Sequence, residues 1–225
     1  IDGDGHTVYG LYIKQTFTHT NKETDSWNQG AGLIAKASGN VDVKNLGIEN
    51  AYVDVTNAAA SAFVGTTQNS ASNSPYFENC YIGADVYLKG PCVGGFIGGG
   101  LATGFRGMKN CYSLATVDSF GYSNGNNFYG ALTGQLWSWP AALVENSYCV
   151  GRIYGQQSPK FSNTFATETK AAQSGLTILT AEDMQGEKSS ANMSKLWKNF
   201  VVTDTYPILR SFSTRQNGEW SGFRV

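Results

Sequence analysis

An all-β chain wound as a right-handed parallel β-helix (a solenoid), with a small C-terminal helical cap, is predicted by three observations. Two short patterns repeat in phase, strand-sized apolar runs lie between turn residues, and charge is scarce. The first pattern reads Ile48-Glu49-Asn50-Ala51-Tyr52, Phe77-Glu78-Asn79-Cys80-Tyr81, Met108-Lys109-Asn110-Cys111-Tyr112 and Val144-Glu145-Asn146-Ser147-Tyr148. The second reads Gly32-Leu33-Ile34-Ala35, Ala62-Phe63-Val64-Gly65, Gly95-Phe96-Ile97-Gly98 and Ala131-Leu132-Thr133-Gly134. The asparagines recur at intervals of 29, 31 and 36 residues, and the second pattern at 30, 33 and 36. Both lengthen together, as one repeat unit does when it gains loop residues.

The apolar runs in each copy are too short for helices and suit strands. A unit of about thirty residues cannot bury its own apolar face, so successive units stack and their strands pair in parallel. Right-handed crossovers dominate parallel connections, which sets the expected hand. Charged residues make up 15% of the chain, well under the usual quarter, and 27 glycines fit a chain of strands and turns.

Stacking turns equivalent residues into ladders. Asn50, Asn79, Asn110 and Asn146 are expected at a bend, where asparagine tolerates left-handed backbone and its amide can bond the next rung. Ala51, Cys80, Cys111 and Ser147 are small and read as inward-facing, with Cys80 and Cys111 as buried free thiols rather than a disulfide. Glu49, Glu78, Lys109 and Glu145 read as an outward column, an exposed ion-pair ladder in preference to a cation site at Glu49 and Glu78. The column Tyr52, Tyr81, Tyr112 and Tyr148 reads as packing before binding.

Residues 1–155 hold the repeats, 156–175 an irregular final coil or linker, and 176–225 the cap and tail. Thr180-Ala181-Glu182-Asp183 is a helix start, a threonine with a carboxylate three residues on. Short helices within 181–197 are expected to close the C-terminal end, with Met184, Leu196 and Trp197 against the last rung. The polar tail after Phe212 is expected to be loosely held.

Composition removes several function classes. A net charge of −1 with no basic block leaves no electrostatic basis for gripping nucleic acid. No apolar run approaches the roughly 18 residues of a membrane span. Cys80, Cys92, Cys111 and Cys149 form no C-x-x-C pair, and with His6 and His19 alone a zinc site is not expected. Cysteine usage leaves the redox compartment open. The opening Ile1-Asp2-Gly3-Asp4-Gly5 lacks a methionine or an apolar leader, which predicts that something upstream was removed.

Recognition is expected in the loops between the two patterns. The longest, Asp118 to Tyr129, holds Phe120, Tyr122, Asn124, Asn126, Asn127, Phe128 and Tyr129, and another supplies Trp137-Ser138-Trp139-Pro140. Aromatic faces with amide side chains suit a sugar, whose CH faces stack and whose hydroxyls hydrogen-bond. Tyr122, Asn126, Asn127, Phe128, Tyr129, Trp137 and Trp139 are therefore the candidate ligand-binding residues, although covering the core or a neighbouring domain is the plainer use of such aromatics. No catalytic residue, metal ligand or cofactor is expected. Asp54, Asp85 and Asp118 fall four, six and eight positions after their repeat asparagines, so they are not expected to share a face. Asp2, Asp4 and His6 read as a polar turn before a metal or acid–base site. Gly94 to Gly100 lacks the Lys-Ser/Thr of a phosphate cradle.

Gly95-Phe96-Ile97-Gly98 followed by Asn110-Cys111-Tyr112-Ser113 resembles the repeat of the GLUG-motif proteins. The segment Ile1 to Ile13 is similar to the stretch that precedes those repeats. Leu196-Trp197 and Tyr206-Pro207-Ile208-Leu209 are similar to the family's terminal motif. Ala35, Ala62, Ala131 and Thr133 depart from the pattern. The resemblance spans roughly residues 1 to 212 and implies a secreted or bacterial cell-surface location and an adhesin-like role, of the kind frequent in gut Bacteroidetes. The expected partners are glycans, host or cell-surface proteins, and other domains of a longer chain. A structural stalk or spacer of a surface or fibre assembly is the alternative, and a carbohydrate-active β-helix enzyme the third reading.

Overall fold

The computed structural model describes residues 1–18, 29–67, 74–100, 105–121, 128–135, 142–156 and 158–213. The described residues are mostly β-strand, and the strands pair mostly in parallel. Its first pass comprises the strands Asp2–Tyr9, Tyr12–Thr16, Gly30–Ala31 and Ile34–Ala37, and its second Asp42–Glu49, Tyr52–Thr56, Ala59–Ala60 and Val64–Thr67. The third and fourth passes repeat this order and stack in register on the ones before. Asp42–Glu49 pairs with Tyr76–Glu78 along its first half and with Tyr81–Ile82 along its second. From there the sheet forks into two parallel branches on either side of the asparagine bend.

The second pattern falls into one column. Ile34, Val64, Ile97 and Thr133 are register partners, and the neighbouring Phe63 and Phe96 stack face to face at 5.0 Å and 2° inside the core. Phe77 meets Phe63 and Phe96 edge-on at 5.6 and 5.1 Å, geometry that suits the ring quadrupole. The glycine at the fourth position of the pattern answers to close backbone approach. A Cβ on Gly98 would lie 2.5 Å from the Ala60 carbonyl oxygen and 2.7 Å from that of Gly65.

The asparagine ladder is present in the structure, but in the second pass its rung lies five residues before the expected one. Asn45, not Asn50, aligns with Asn79, because Lys44 pairs with Glu78. Side-chain amides join the rungs. Asn79 Nδ2 donates to Asn45 Oδ1 at 3.1 Å, Asn110 to Asn79 at 3.0 Å, and Asn163 to Asn146 at 3.1 Å. Asn45 in turn donates to Asp2 at 3.0 Å. All five asparagines hold φ between 47° and 53°, the left-handed region this side chain tolerates. Asn50 also has φ 48°, but it is exposed and makes a separate bend where Glu49 gives way to Tyr52.

The shifted register moves the neighbouring columns as well. Leu46, not Ala51, shares the buried column of Cys80, Cys111 and Ser147; Ala51 is buried beside Val86, since Tyr52 pairs with Tyr87. Cys80, Cys92, Cys111 and Cys149 are buried free thiols. Burial, with Cys80 alongside, pushes the Cys111 thiol well above its ordinary pKa. Glu49 leaves the charged column and accepts the Tyr81 hydroxyl at 2.7 Å. Lys44 takes its place, so the column alternates Asp2, Lys44, Glu78, Lys109, Glu145. Lys44–Glu78 and Lys109–Glu145 close at 3.2 Å each, half-exposed pairs of small energetic weight.

Residues 156–175 are not an irregular coil. They contain the strands Lys160–Ser162 and Thr164–Glu168 around Asn163. Phe161-Ser162-Asn163-Thr164-Phe165 is a further copy of the first pattern, only 17 residues after Asn146. The spacing halves because the fifth pass runs from Tyr148–Arg152 straight beneath the second-pattern column, where Tyr154 bridges Thr133.

The C-terminal helical segment comprises a 3₁₀ turn at Glu182–Met184, an α-helix at Gly186–Asn192 and a second 3₁₀ turn at Ser194–Leu196. Thr180 Oγ accepts the Asp183 backbone N–H at 3.1 Å. This segment does not sit on the last rung alone. Met184, Met193, Leu196 and Phe200 pack along the flank against Tyr81, Tyr112, Tyr148 and Phe165. Asn199 Nδ2 donates to Asn110 Oδ1 at 2.9 Å, and Tyr148 donates its hydroxyl to the Pro207 carbonyl. The reason is chemical: four outward aromatics on successive rungs form an apolar stripe, and the segment covers it.

Candidate functional site

Two tyrosine columns exist where one was expected. Tyr81, Tyr112 and Tyr148 stack at 5.2 and 5.1 Å and are buried under the C-terminal segment. Tyr52 belongs to the other column, with Tyr12 and Tyr87. Alternation along each strand decides which residues face out: Val53, Val55 and Leu88 are buried, so Tyr52, Asp54, Tyr87 and Lys89 point away from the core. Tyr12 is 67% exposed.

The rings stack at 5.3 Å and 15° between Tyr12 and Tyr52, and at 5.5 Å and 20° between Tyr52 and Tyr87. Beside them runs a second column, Lys14, Asp54, Lys89 and Asp118, alternating in sign at a rung spacing of about 4.8 Å. Tyr52 donates its hydroxyl to Asp54 at 3.1 Å, and Tyr87 donates to Asp118 at 2.7 Å. Those hydrogen bonds, with desolvation second, raise both phenols, Tyr87 to about 12. The face thus presents ring surface over roughly 10 Å and carboxylates and ammonium groups over roughly 14 Å.

Asp54 and Asp118 consequently share a face, contrary to the sequence expectation, with Lys89 between them. The expectation counts from Asn50, which is not the ladder residue of its pass. Counted from the true ladder residues, Asp54 lies nine positions after Asn45 and Asp118 eight after Asn110. The pair lies two rungs apart, roughly 10 Å along the stack, with a tyrosine hydroxyl on each carboxylate.

Of the residues expected to bind ligand, Tyr122, Asn126, Asn127, Trp137 and Trp139 lie outside the described residues. Phe128 and Tyr129 start the strand Phe128–Gly130 and are half-buried. The Tyr129 ring is already covered on one side by the Arg152 guanidinium at 4.1 Å, which pairs with Glu168 at 2.8 Å. Phe120, 53% exposed, leaves the end of the strand Thr116–Ser119 that carries Asp118. Residues 122–127 follow this strand in sequence and lie outside the described residues. At the opposite end of the chain, Asp2 accepts from Asn45 and from the Asp4 backbone N–H, and His6 Nδ1 lies 2.8 Å from the Gly3 carbonyl oxygen. Among the described residues no group of three His, Cys, Asp or Glu is arranged to hold a metal, and no helix is long and apolar enough to cross a membrane.

Tyr12, Lys14, Tyr87 and Lys89 were not singled out from sequence, yet a signal was there. Tyr12-Ile13-Lys14, Tyr52-Val53-Asp54 and Tyr87-Leu88-Lys89 form a third repeating phrase, tyrosine, apolar, charged. Comparison with family models, curated proteins and solved structures gives no match, so the reading of this face rests on its own chemistry.

Proposed function

We propose that the chain is a right-handed parallel β-solenoid of the GLUG-motif kind, a non-enzymatic adhesin-type module that works in secreted form or at a bacterial cell surface. Its ligands are glycans or host-surface proteins, held on the Tyr12–Tyr52–Tyr87 face and by the loop after Phe120. The observation that carries this reading is the exposure of a stacked tyrosine column, with polar partners already oriented beside it. A stack that served packing alone would be covered, as the Tyr81 column is. Stacked rings leave their edges and the outer face of Tyr12 to solvent, beside the carboxylates that hold the Tyr52 and Tyr87 hydroxyls, which suits CH groups and hydroxyls of an extended ligand lying along the strip.

The carboxylates do not favour catalysis. A hydrolytic pair needs one carboxyl poised to give up a proton and one to activate water or attack, whereas Asp54 and Asp118 each accept a tyrosine hydroxyl and each have Lys89 as a register neighbour, an arrangement that favours the ionised form of both. A stalk or spacer within a longer chain is the second reading, favoured by the regular ladders.

A glycan array read with the parent chain, Tyr52→Ala, Tyr87→Ala and a Trp137→Ala/Trp139→Ala pair separates these. Loss of signal in the tyrosine variants supports the strip, and loss in the tryptophan pair alone moves the site to that loop. No signal from the parent on glycans or host proteins favours the stalk. Product released from a polysaccharide panel overturns the non-enzymatic reading.

A further inference from the structure

We propose a second, separate site, for an acetamido sugar, in the cleft where the asparagine ladder ends. The ladder has a direction. Asn45, Asn79, Asn110 and Asn163 each donate Nδ2 to the Oδ1 of the rung before, and the Asn110 Oδ1 takes its donor from Asn199 instead of from the rung after. Asn163 donates to Asn146 in this way, and the next position in the column is Gly175, since Thr164 pairs with Leu176. Gly175 keeps the left-handed bend, φ 79°, but has no side chain, and a Cβ there would run into the Phe161 carbonyl. Among the described residues nothing donates to Asn163 Oδ1.

A cleft of about 260 Å³ opens at this point, between the end of the stack and the helical segment. Asn163, Phe165 and Leu176 form one wall, and Asn192, Ser194 and Lys195 the other. Lys195 forms no ion pair among the described residues. The position asks for an amide N–H, the group that fills the equivalent place one rung up. An acetamido group supplies it to Asn163 Oδ1, sets its methyl against Phe165 and Leu176, and offers its carbonyl oxygen to Lys195. Ring hydroxyls then meet Ser194 and Asn192. The volume suits one pyranose rather than a longer ligand.

The site shares no residue with the tyrosine face and stands or falls apart from it. Calorimetric titration of the whole chain with N-acetylglucosamine and with glucose tests it. The acetamido sugar is expected to bind about fivefold or more tightly than glucose, the worth of one placed amide hydrogen bond. Thr177→Trp, which fills the cleft from its rim, and Lys195→Ala are each expected to weaken binding, with unchanged circular dichroism, while Tyr52→Ala leaves it intact. Equal affinity for the two sugars, no binding of either, or binding indifferent to both cleft variants overturns the proposal. Binding of N-acetylasparagine amide as tight as that of the sugar overturns it too, since a peptide amide would then be the better ligand.

Discussion

The two tyrosine columns are nearly the same object built twice. In each, three rings from successive rungs stack, at 5.1–5.2 Å on one flank and 5.3–5.5 Å on the other. The difference between them is the cover. On the first flank the chain's own C-terminal segment buries the rings with Phe200, Phe212 and Leu196, and Phe212 meets Tyr81 edge-on at 4.9 Å. On the second flank no described segment lies over them, and carboxylates take the hydroxyls. Stacking is therefore a consequence of repetition, while burial depends on the C-terminal segment having an apolar face to lay over the rings. Function is to be sought where the repeat's aromatics are left uncovered.

The comparison breaks most sharply under truncation. Tyr112→Ala is expected to cost about 3–5 kcal/mol by denaturant unfolding, as large aromatic deletions in packed sites do, whereas Tyr52→Ala should cost well under half of that. Equal losses would mean that both columns are structural. Next in size is the amide ladder. Asn110→Gly keeps the left-handed bend but leaves the Asn79 and Asn199 amides without their partner, for an expected loss of about 1–3 kcal/mol. Asn50→Gly, at an exposed bend without a ladder bond, is expected to be near neutral on the same measurement.

Titration sharpens the contrast further. The Tyr87 phenol is pushed up to about 12 chiefly by its hydrogen bond to Asp118, so Asp118→Asn should let it ionise nearer its ordinary value of about 10, read by tyrosinate absorbance. Tyr76 is also raised to about 12, by burial first, and burial raises Tyr148 strongly. In the unfolded chain these phenols ionise near 10. The folded state then holds more protons, and stability falls as pH rises between about 10 and 12. Tyr148 should titrate only as the chain unfolds. The smallest effect is expected at Lys89→Ala, a change of at most about 1 kcal/mol that shrinks with added salt.

Much of the fold is legible in the sequence, and the departures have identifiable causes. The second pattern aligns without error because Phe63 and Phe96 are large, buried and stacked on each other in equivalent positions. The first pattern slips in the second pass, where asparagines at 45 and 50 both hold left-handed bends and only Asn50 is trailed by the small-Tyr signature. Position 47 is glycine because the Tyr81 ring lies across it: a Cβ there would strike that ring. A residue chosen for a neighbour's side chain thus erased the motif that marked the rung. The copy at Phe161 to Phe165 is hidden because its pass skips two sheets and halves the period. The exposed face is hidden for a third reason. Its repeating phrase carries opposite charges on alternate rungs, lysine then aspartate, so identity-based alignment conceals the match that pairing across rungs requires.

Tyrosine-selective nitration of the native chain, mapped by mass spectrometry, tests the division between the columns most directly. Modification of Tyr12, Tyr52 and Tyr87 is expected under conditions that leave Tyr81, Tyr112 and Tyr148 untouched until denaturant is added. Similar labelling of all six in the native chain, or protection of the Tyr12 set, would contradict it.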